Sequence, residues 1–339
     1  MSKRAKARAP EGAPGSPRSA QEPVSDCNMA KSPVWITGAG GLVGNYLVQT
    51  APCFAPHWRV IGIVRDRNMP ALPRVGRDIA PASPTSPAGV GYRRLDLGDF
   101  QSVRTGFNED KPQLVIHCAA LSRSPACQEN PALARKLNVE VSAFLAELAV
   151  EIPFVFFSSD LVFDGQEGGY DESAQPRPLS VYAETKVAAE QIVLKNPNHT
   201  VVRISLNGGS SPTGDRGFNE EMRRAWQAGK TLKLFTDEFR CPMPAVVTAR
   251  AIWELVAQNI PGLYHLSGGE RLSRWEIGRL IAARWPQLNP RIEPSSRRDY
   301  TGPPRPADTS LDCAKIQRLL SFPLPGLNEW LKANTHELF

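Results

Sequence analysis

Val34-Trp35-Ile36-Thr37-Gly38-Ala39-Gly40-Gly41-Leu42-Val43-Gly44-Asn45-Tyr46-Leu47-Val48 holds three signals in one short stretch. Val34 to Thr37 is an apolar, β-prone run. Gly38, Gly41 and Gly44 follow at three-residue steps, and Leu42 to Val48 has the apolar spacing of a helix. Strand, glycine turn and helix in that order make a glycine pattern a nucleotide-binding turn. Gly38 permits the tight turn, Gly41 lets a pyrophosphate approach the backbone, and Gly44 lets the helix pack on the strand. The helix N-terminus then offers free N–H groups and the positive end of its dipole to phosphate.

Downstream, a second apolar run, Arg59 to Val64, ends in Arg65-Asp66-Arg67. About 20 residues past the glycines is where such a unit meets the adenosine ribose. An acidic residue there holds a 2′-hydroxyl and repels a phosphate, whereas arginine does the reverse. Arg65, with Arg67 near it, therefore favours NADP (NADPH) over NAD, with NAD use left open. Residues 70–91 carry five prolines and few apolar side chains, which predicts an inserted surface loop. The alternation resumes at Tyr92–Leu95 and continues with an amphipathic stretch from Phe100 to Phe107 and a strand from Leu114 to Ala120. A helix is expected after Pro131 with Leu133, Leu137, Val141, Leu145 and Leu148 inward. A strand at Phe154–Phe157, a helix from about Val181 to Lys195 and a strand at Thr200–Ile204 complete the series. Continuous apolar strands alternating with amphipathic helices mean an α/β, Rossmann-type, doubly wound parallel sheet over residues 32–204. Residues 205–339 read as a smaller α/β substrate-binding region that crosses back to the first. It is expected to hold helices at 216–229 and 246–258, a strand at 263–267, and a capping box from Ser273 to Glu276.

Such sheets bind ligands at the carboxyl ends of their strands, and the chemistry-bearing residues fall there. Phe157 is followed by Ser158-Ser159-Asp160, and the next helix opens with Tyr182-Ala183-Glu184-Thr185-Lys186. Tyr182 and Lys186 share one helix face. A lysine ammonium beside the tyrosine, with an oxidised nicotinamide ring nearby, favours the phenolate and draws its pKa towards working range. Ser159 is placed to hydrogen-bond a carbonyl oxygen that Tyr182 protonates as hydride arrives.

With these motifs in order, the chain resembles an extended short-chain dehydrogenase/reductase. The resemblance runs from Pro33 to Leu331 and rests on Thr37 to Gly44, Asp96-Leu97, His117 to Ala120, Asn138, Ser158-Ser159-Asp160 and Tyr182 to Lys186. Asp160 to Gly165, Pro176 to Leu179, Arg305-Pro306, Leu311 and Lys315 look like the dTDP-4-dehydrorhamnose reductase branch. That likeness implies reduction of a 4-keto nucleotide-sugar in deoxysugar synthesis, with Ser159, Tyr182 and Lys186 catalytic. It implies Gly38, Gly41, Leu42, Val43, Gly44, Arg65, Asp96, Leu97, Ala119, Ala120, Asn138, Tyr182 and Lys186 around the cofactor. Asp160, Phe163 and Arg305 are implied near the substrate, and Arg240, Arg291 and Arg305 are candidates for its phosphates. Two departures fall where the branch binds sugar: Leu161 replaces a usual tyrosine, and Leu206-Asn207-Gly208-Gly209 lacks the usual aromatic residues. Arg305-Pro306 and Ser310 to Lys315 also look like the regulatory β-subunit of methionine adenosyltransferase. That family keeps the scaffold and binds NADP while serving a partner enzyme. An NAD-dependent epimerase or dehydratase on the same scaffold is the third reading.

Composition excludes several classes. With 339 residues and 41% hydrophobic side chains the chain can bury a sizeable core. It has no run near the ~18 apolar residues of a membrane span. Six scattered cysteines without a C-x-x-C pair read as free thiols in a reducing, cytoplasmic setting. No histidine cluster has metal-ligand spacing. The net charge is +6, and the first eight residues hold Lys3, Arg4, Lys6 and Arg8; this basic tail, residues 1–31, is expected to be disordered and dispensable, with only unspecific affinity for nucleic acid. The partner expected is a small nucleotide-sugar, with a homodimer allowed and no membrane or specific nucleic acid.

Overall fold

A computed structural model describes residues 31–65, 90–337 and 339. The basic tail, Arg67 and nearly all of the proline-rich insert lie outside them. The first half of the chain runs β1 (Ser32–Thr37), α1 (Leu42–Phe54), β2 (Trp58–Val64), β3 (Val90–Arg94), α2 (Phe100–Asp110), β4 (Leu114–His117), α3 (Ser124–Glu129), α4 (Pro131–Arg135), α5 (Val141–Leu148), β5 (Phe154–Ser159), α6 (Val181–Val193) and β6 (His199–Ile204). The second half adds β7 (Asn207–Gly208), α7 (Phe218–Gln227), β8 (Thr231–Phe235), β9 (Phe239–Arg240), β10 (Met243–Pro244), α8 (Ala245–Gln258), β11 (Gly262–Leu266), β12 (Leu272–Ser273), α9 (Arg274–Arg284), β13 (Arg291–Ser295), α10 (Ala314–Gln317) and α11 (Leu327–Ala333).

Seven strands form one parallel sheet in the order β11-β6-β5-β4-β1-β2-β3. The expected doubly wound fold is thus borne out, with both Val34–Thr37 and Thr200–Ile204 in the same sheet. Alternation along β1 sends Val34 and Ile36 to one apolar cluster with α1 and α8, and Trp35 to the other with Phe154, Phe156 and Val201. A third cluster, built on Phe218, Trp226, Ile277 and Leu327, joins α7, α9 and α11. The strand order reverses between β1 and β4, where Thr37 lies beside His117. That switch point opens the crevice in which such sheets hold ligands.

One helix departs from expectation. The element after Pro131 is not a single α-helix, because Lys136–Glu140 forms a π turn between α4 and α5. The wider turn shifts the helical phase. Leu133 is consequently exposed at 41%, while Val141 and Leu145 are buried as expected. The capping box at Ser273 is present: its hydroxyl accepts from Glu276 N at 3.1 Å and the Glu276 carboxylate accepts from Ser273 N at 2.8 Å.

Three buried histidines, His117, His199 and His265, make stability depend on pH. His117 is held down to about 3 by burial, with Lys186 adding to it, and His265 to about 4 by burial, with Arg203 adding to it. An unfolded histidine titrates near 6.5. Between that value and about 4 the unfolded chain takes up protons that the folded one refuses. Stability from this source is therefore complete above ~6.5 and is lost as pH falls, at ~1.4 kcal/mol per unit for each histidine. Urea unfolding from pH 7 to pH 4 should show this loss, and His265→Gln should remove its share of it. An unchanged slope in the variant would show that His265 titrates normally.

Candidate active site

The glycine turn is shaped as a phosphate cradle. Gly38 has φ +69°, and a Cβ there would stand 2.7 Å from Ala119 N; a Cβ on Gly44 would stand 2.4 Å from Gly38 O. Only glycine fits either position. Gly41 caps α1 without any side-chain hydrogen bond, and the first turn has no acidic residue. The amide groups around Leu42 and Val43 therefore stay unclaimed for an anion. The buried Asn45 Nδ2 group, one turn on, has no partner among the described residues. These features fit the pyrophosphate of a dinucleotide.

A cleft of about 260 Å³ past the ends of β2 and β3 is lined by Arg65, Asp96, Gly98, Asp99, Leu133 and Lys136, among others. It brings together Arg65 at the end of β2, expected at the adenosine ribose, and Asp96 just past β3, expected around the cofactor. Leu97 does not line it and instead packs on the core cluster below. Ala119 N donates to Thr37 Oγ1 at 3.3 Å, which ties the loop after β4 to β1. Ala120, the next residue, is exposed. Asn138 in the π turn is buried and spends its amide on Leu121 N (2.8 Å), Leu121 O (3.2 Å) and Thr185 Oγ1 (3.0 Å). It holds the loop that flanks the crevice rather than facing the crevice itself.

At the end of β5, Ser159 lies beside Tyr182, and Lys186 lies one helical turn along α6. All three are buried. The Lys186 ammonium sits 3.9 Å from the centre of the Phe156 ring, and burial lowers it to about 7 against the opposing pull of Glu190. Burial also raises the Tyr182 phenol above its ordinary value, with the Asp160 charge acting the same way and the Ser159 hydrogen bond opposing. Without nicotinamide, desolvation of the phenolate outweighs the charges around it.

The residues expected near the substrate are otherwise engaged. Phe163 is fully buried and stacks on Tyr170 at 4.1 Å. Asp160 is also fully buried. It takes Arg240 in a fork at 2.6 and 2.5 Å and accepts from Ser205 Oγ (2.6 Å), Thr309 Oγ1 (3.2 Å) and Ser159 Oγ (3.1 Å). Arg305 forms a second fork with Glu238 at 2.6 and 2.8 Å. Arg240 and Arg305 are thus held by carboxylates rather than presented to phosphate, and Arg291 lies exposed on β13. Sequence reasoning missed Glu190, four residues past Lys186. It is buried and takes Arg203 at 2.7 and 3.0 Å. The lysine-to-glutamate spacing on one helix face was the available signal.

A cavity of about 300 Å³ lies at the amino edge of the sheet, among Trp58, Leu114, Thr200 and Ile260. It is remote from Ser159 and Tyr182. Among the described residues no group of His, Cys, Asp and Glu is placed to hold a metal ion. No helix of the structure is long and apolar enough to cross a membrane.

Parallel strand order, a cradle at the switch point and a strand-end Ser beside Tyr and Lys define a dinucleotide-fold protein of the extended dehydrogenase/reductase type. The chain belongs to the RmlD substrate binding domain family, whose model matches residues 32–338. It is 28% identical over 293 residues to methionine adenosyltransferase 2 subunit beta of Xenopus laevis, covering 84% of this chain and 81% of that protein. It is also 28% identical over 306 residues to the probable low-salt glycan biosynthesis reductase Agl14 of Haloferax volcanii, covering 88% and 96%. Its fold matches the crystal structure of dTDP-4-dehydrorhamnose reductase from Bacillus anthracis in complex with NADP. The TM-score there is 0.72 at 24% identity, over 89% of this chain and 98% of that one.

Proposed function

We propose that this chain is an NADPH-dependent reductase of a keto group on a nucleotide-sugar, with residues 32–204 holding the cofactor and 205–339 the substrate. The observation that carries the reading is the buried set of Ser159 beside Tyr182, with Lys186 one turn on, at the carboxyl edge of the sheet that also bears the glycine cradle. NADPH, when bound, would supply hydride to the carbonyl carbon. Tyr182 would give its hydroxyl proton to the carbonyl oxygen, so that the ketone becomes an alcohol. Lys186 would support Tyr182 and the cofactor ribose. Ser159 would turn its hydroxyl from Asp160 to the carbonyl oxygen and hold it in line. The reductase in the Haloferax relative's name supports this reading. The test is NADPH consumption across a panel of 4-keto nucleotide-sugars, with product identification.

Arg65 would carry the preference for NADPH. Its guanidinium has no acidic partner among the described residues and lines the cleft that Asp96 shares. A charged hydrogen bond contributes ~1.5–3 kcal/mol, so Arg65→Ala should weaken NADPH binding roughly ten- to hundred-fold. Affinity for NADH should barely move. Equal losses for the two cofactors would withdraw the assignment.

A second reading is favoured by one observation: Arg240 and Arg305 are already paired inside the protein. The chain would then bind NADP without turnover and serve a partner enzyme; the Xenopus relative is named as a subunit of methionine adenosyltransferase 2. NADPH binding with no consumption across the whole panel would select it. Sugar conversion without net NADPH consumption would instead select an epimerase or dehydratase.

A further inference from the structure

Three arginines from separate places in the chain close on one carboxylate at the carboxyl edge of the sheet. Arg123, in the loop after β4, places Nη2 3.5 Å from Asp215 Oδ2 and 3.3 Å from the Asp215 carbonyl oxygen. Arg216 Nε lies 3.2 Å from Oδ1, and Arg224 Nη1 on α7 lies 3.6 Å from Oδ2. The three side chains are 57%, 50% and 61% exposed, against 25% for Asp215. One carboxylate cannot neutralise three guanidiniums, so the cluster keeps an excess of positive charge towards water.

The loop that carries this cluster is held from beneath. The buried Glu220 carboxylate accepts from Ser211 N and Ser211 Oγ at 2.7 Å each, and from Arg216 N and Gly217 N at 2.9 Å each. The Thr213 hydroxyl donates to Asp215. That bond and the three arginines hold the Asp215 carboxyl below the ordinary range, so it stays charged and keeps the guanidiniums gathered. The cluster also borders the crevice. A Cβ on Gly217 would stand 3.5 Å from Leu42 at the start of α1, and Arg123 is two residues past Leu121, which Asn138 anchors.

We propose that Arg123, Arg216 and Arg224 are the docking site for the diphosphate of a nucleoside-diphosphate substrate. The inference rests on the nucleotide-sugar reading above. Guanidinium forks match phosphate oxygens in geometry and charge. Asp215 supplies a fixed hub about which they are already arranged, which lowers the ordering cost of binding. The arginines expected for this task, Arg240 and Arg305, are 7% and 34% exposed and held in carboxylate forks, whereas the three guanidiniums around Asp215 share one carboxylate and stand half or more in water. A cofactor also carries a diphosphate, so the test must separate the two sources.

Isothermal titration of the full chain with UDP and with dTDP, uridine as the uncharged control and NADPH in parallel, does so. UDP or dTDP should bind, uridine should bind at least tenfold more weakly, and added salt should loosen the diphosphate. Arg123→Ala, Arg216→Ala and Arg224→Ala should each lose about tenfold in diphosphate affinity, with NADPH affinity within about twofold of the wild type. Each replaced side chain is half or more exposed, so the fold should survive. Diphosphates that bind all three variants as tightly as the wild type would overturn the proposal. So would equal losses for NADPH, which would give the cluster to the cofactor. A wild type that binds NADPH but neither diphosphate would sink this site and leave the cofactor reading standing. A wild type that binds none of them would remove both.

Discussion

Tyr182→Phe is expected to reduce turnover of a keto nucleotide-sugar by about 10²–10⁴ while leaving NADPH affinity nearly unchanged. Phenylalanine keeps the ring in its buried seat and removes only the hydroxyl that faces Ser159. The phenol's pKa stands above its ordinary value in the absence of cofactor, so it is a neutral donor throughout the neutral range. That suits a step in which it must give a proton to a carbonyl oxygen gaining negative charge. Lys186→Ala should damage turnover and cofactor binding together, because the lysine would touch both groups. Ser159→Ala should lower turnover with little change in NADPH affinity. Steady-state rates with fluorescence titration of NADPH give both readouts. A wild-type chain whose turnover Tyr182→Phe leaves intact would take the proton-donor role away from Tyr182.

Asp160→Ala is expected to cost about 3–5 kcal/mol of stability, the range for stranding one member of a buried ion pair. Arg240 is 7% exposed, and Asp160 supplies both ends of its fork. Removing the carboxylate also strips the Ser205, Thr309 and Ser159 hydroxyls of their acceptor. The double variant Asp160→Ala with Arg240→Met should recover most of that loss, since no charge is then left buried. Urea unfolding of the single and double variants, closed as a thermodynamic cycle, measures the coupling. If both singles and the double are destabilised additively, the pair is not the joint the geometry describes. Because this pair links the end of β5 to β9, the same variants should also disturb Ser159, visible as a fall in turnover of the double variant despite its recovered stability.

The sheet was legible before any coordinates because its determinants are local and periodic. Val34 to Thr37 and Phe154 to Phe157 are continuous apolar runs, which in an α/β alternation can only be strands covered on both faces. Gly38 and Gly44 announced the turn because no side chain fits against Ala119 N or Gly38 O. Tyr182 and Lys186 were readable as one face of a helix from their spacing alone. The break at Lys136–Glu140 was not, since a π turn leaves the apolar residues in place and changes only which way they point.

What the sequence determined by itself is the order of strands and helices, the glycine cradle, and the identity of the residues that meet at the end of β5. What only the tertiary structure decided is the fate of the charges. Asp160 and Arg240, like Glu238 and Arg305, stand tens of residues apart and carry no periodic signal of each other. The same holds for Arg123 and the Asp215 loop. Whether an arginine meets a carboxylate inside the protein or a phosphate at its surface depends on distances of a few ångströms between elements remote in the chain. Apolar patterning is enforced by burial along each element, one residue at a time, whereas a charge pair is fixed only when two separate elements have packed.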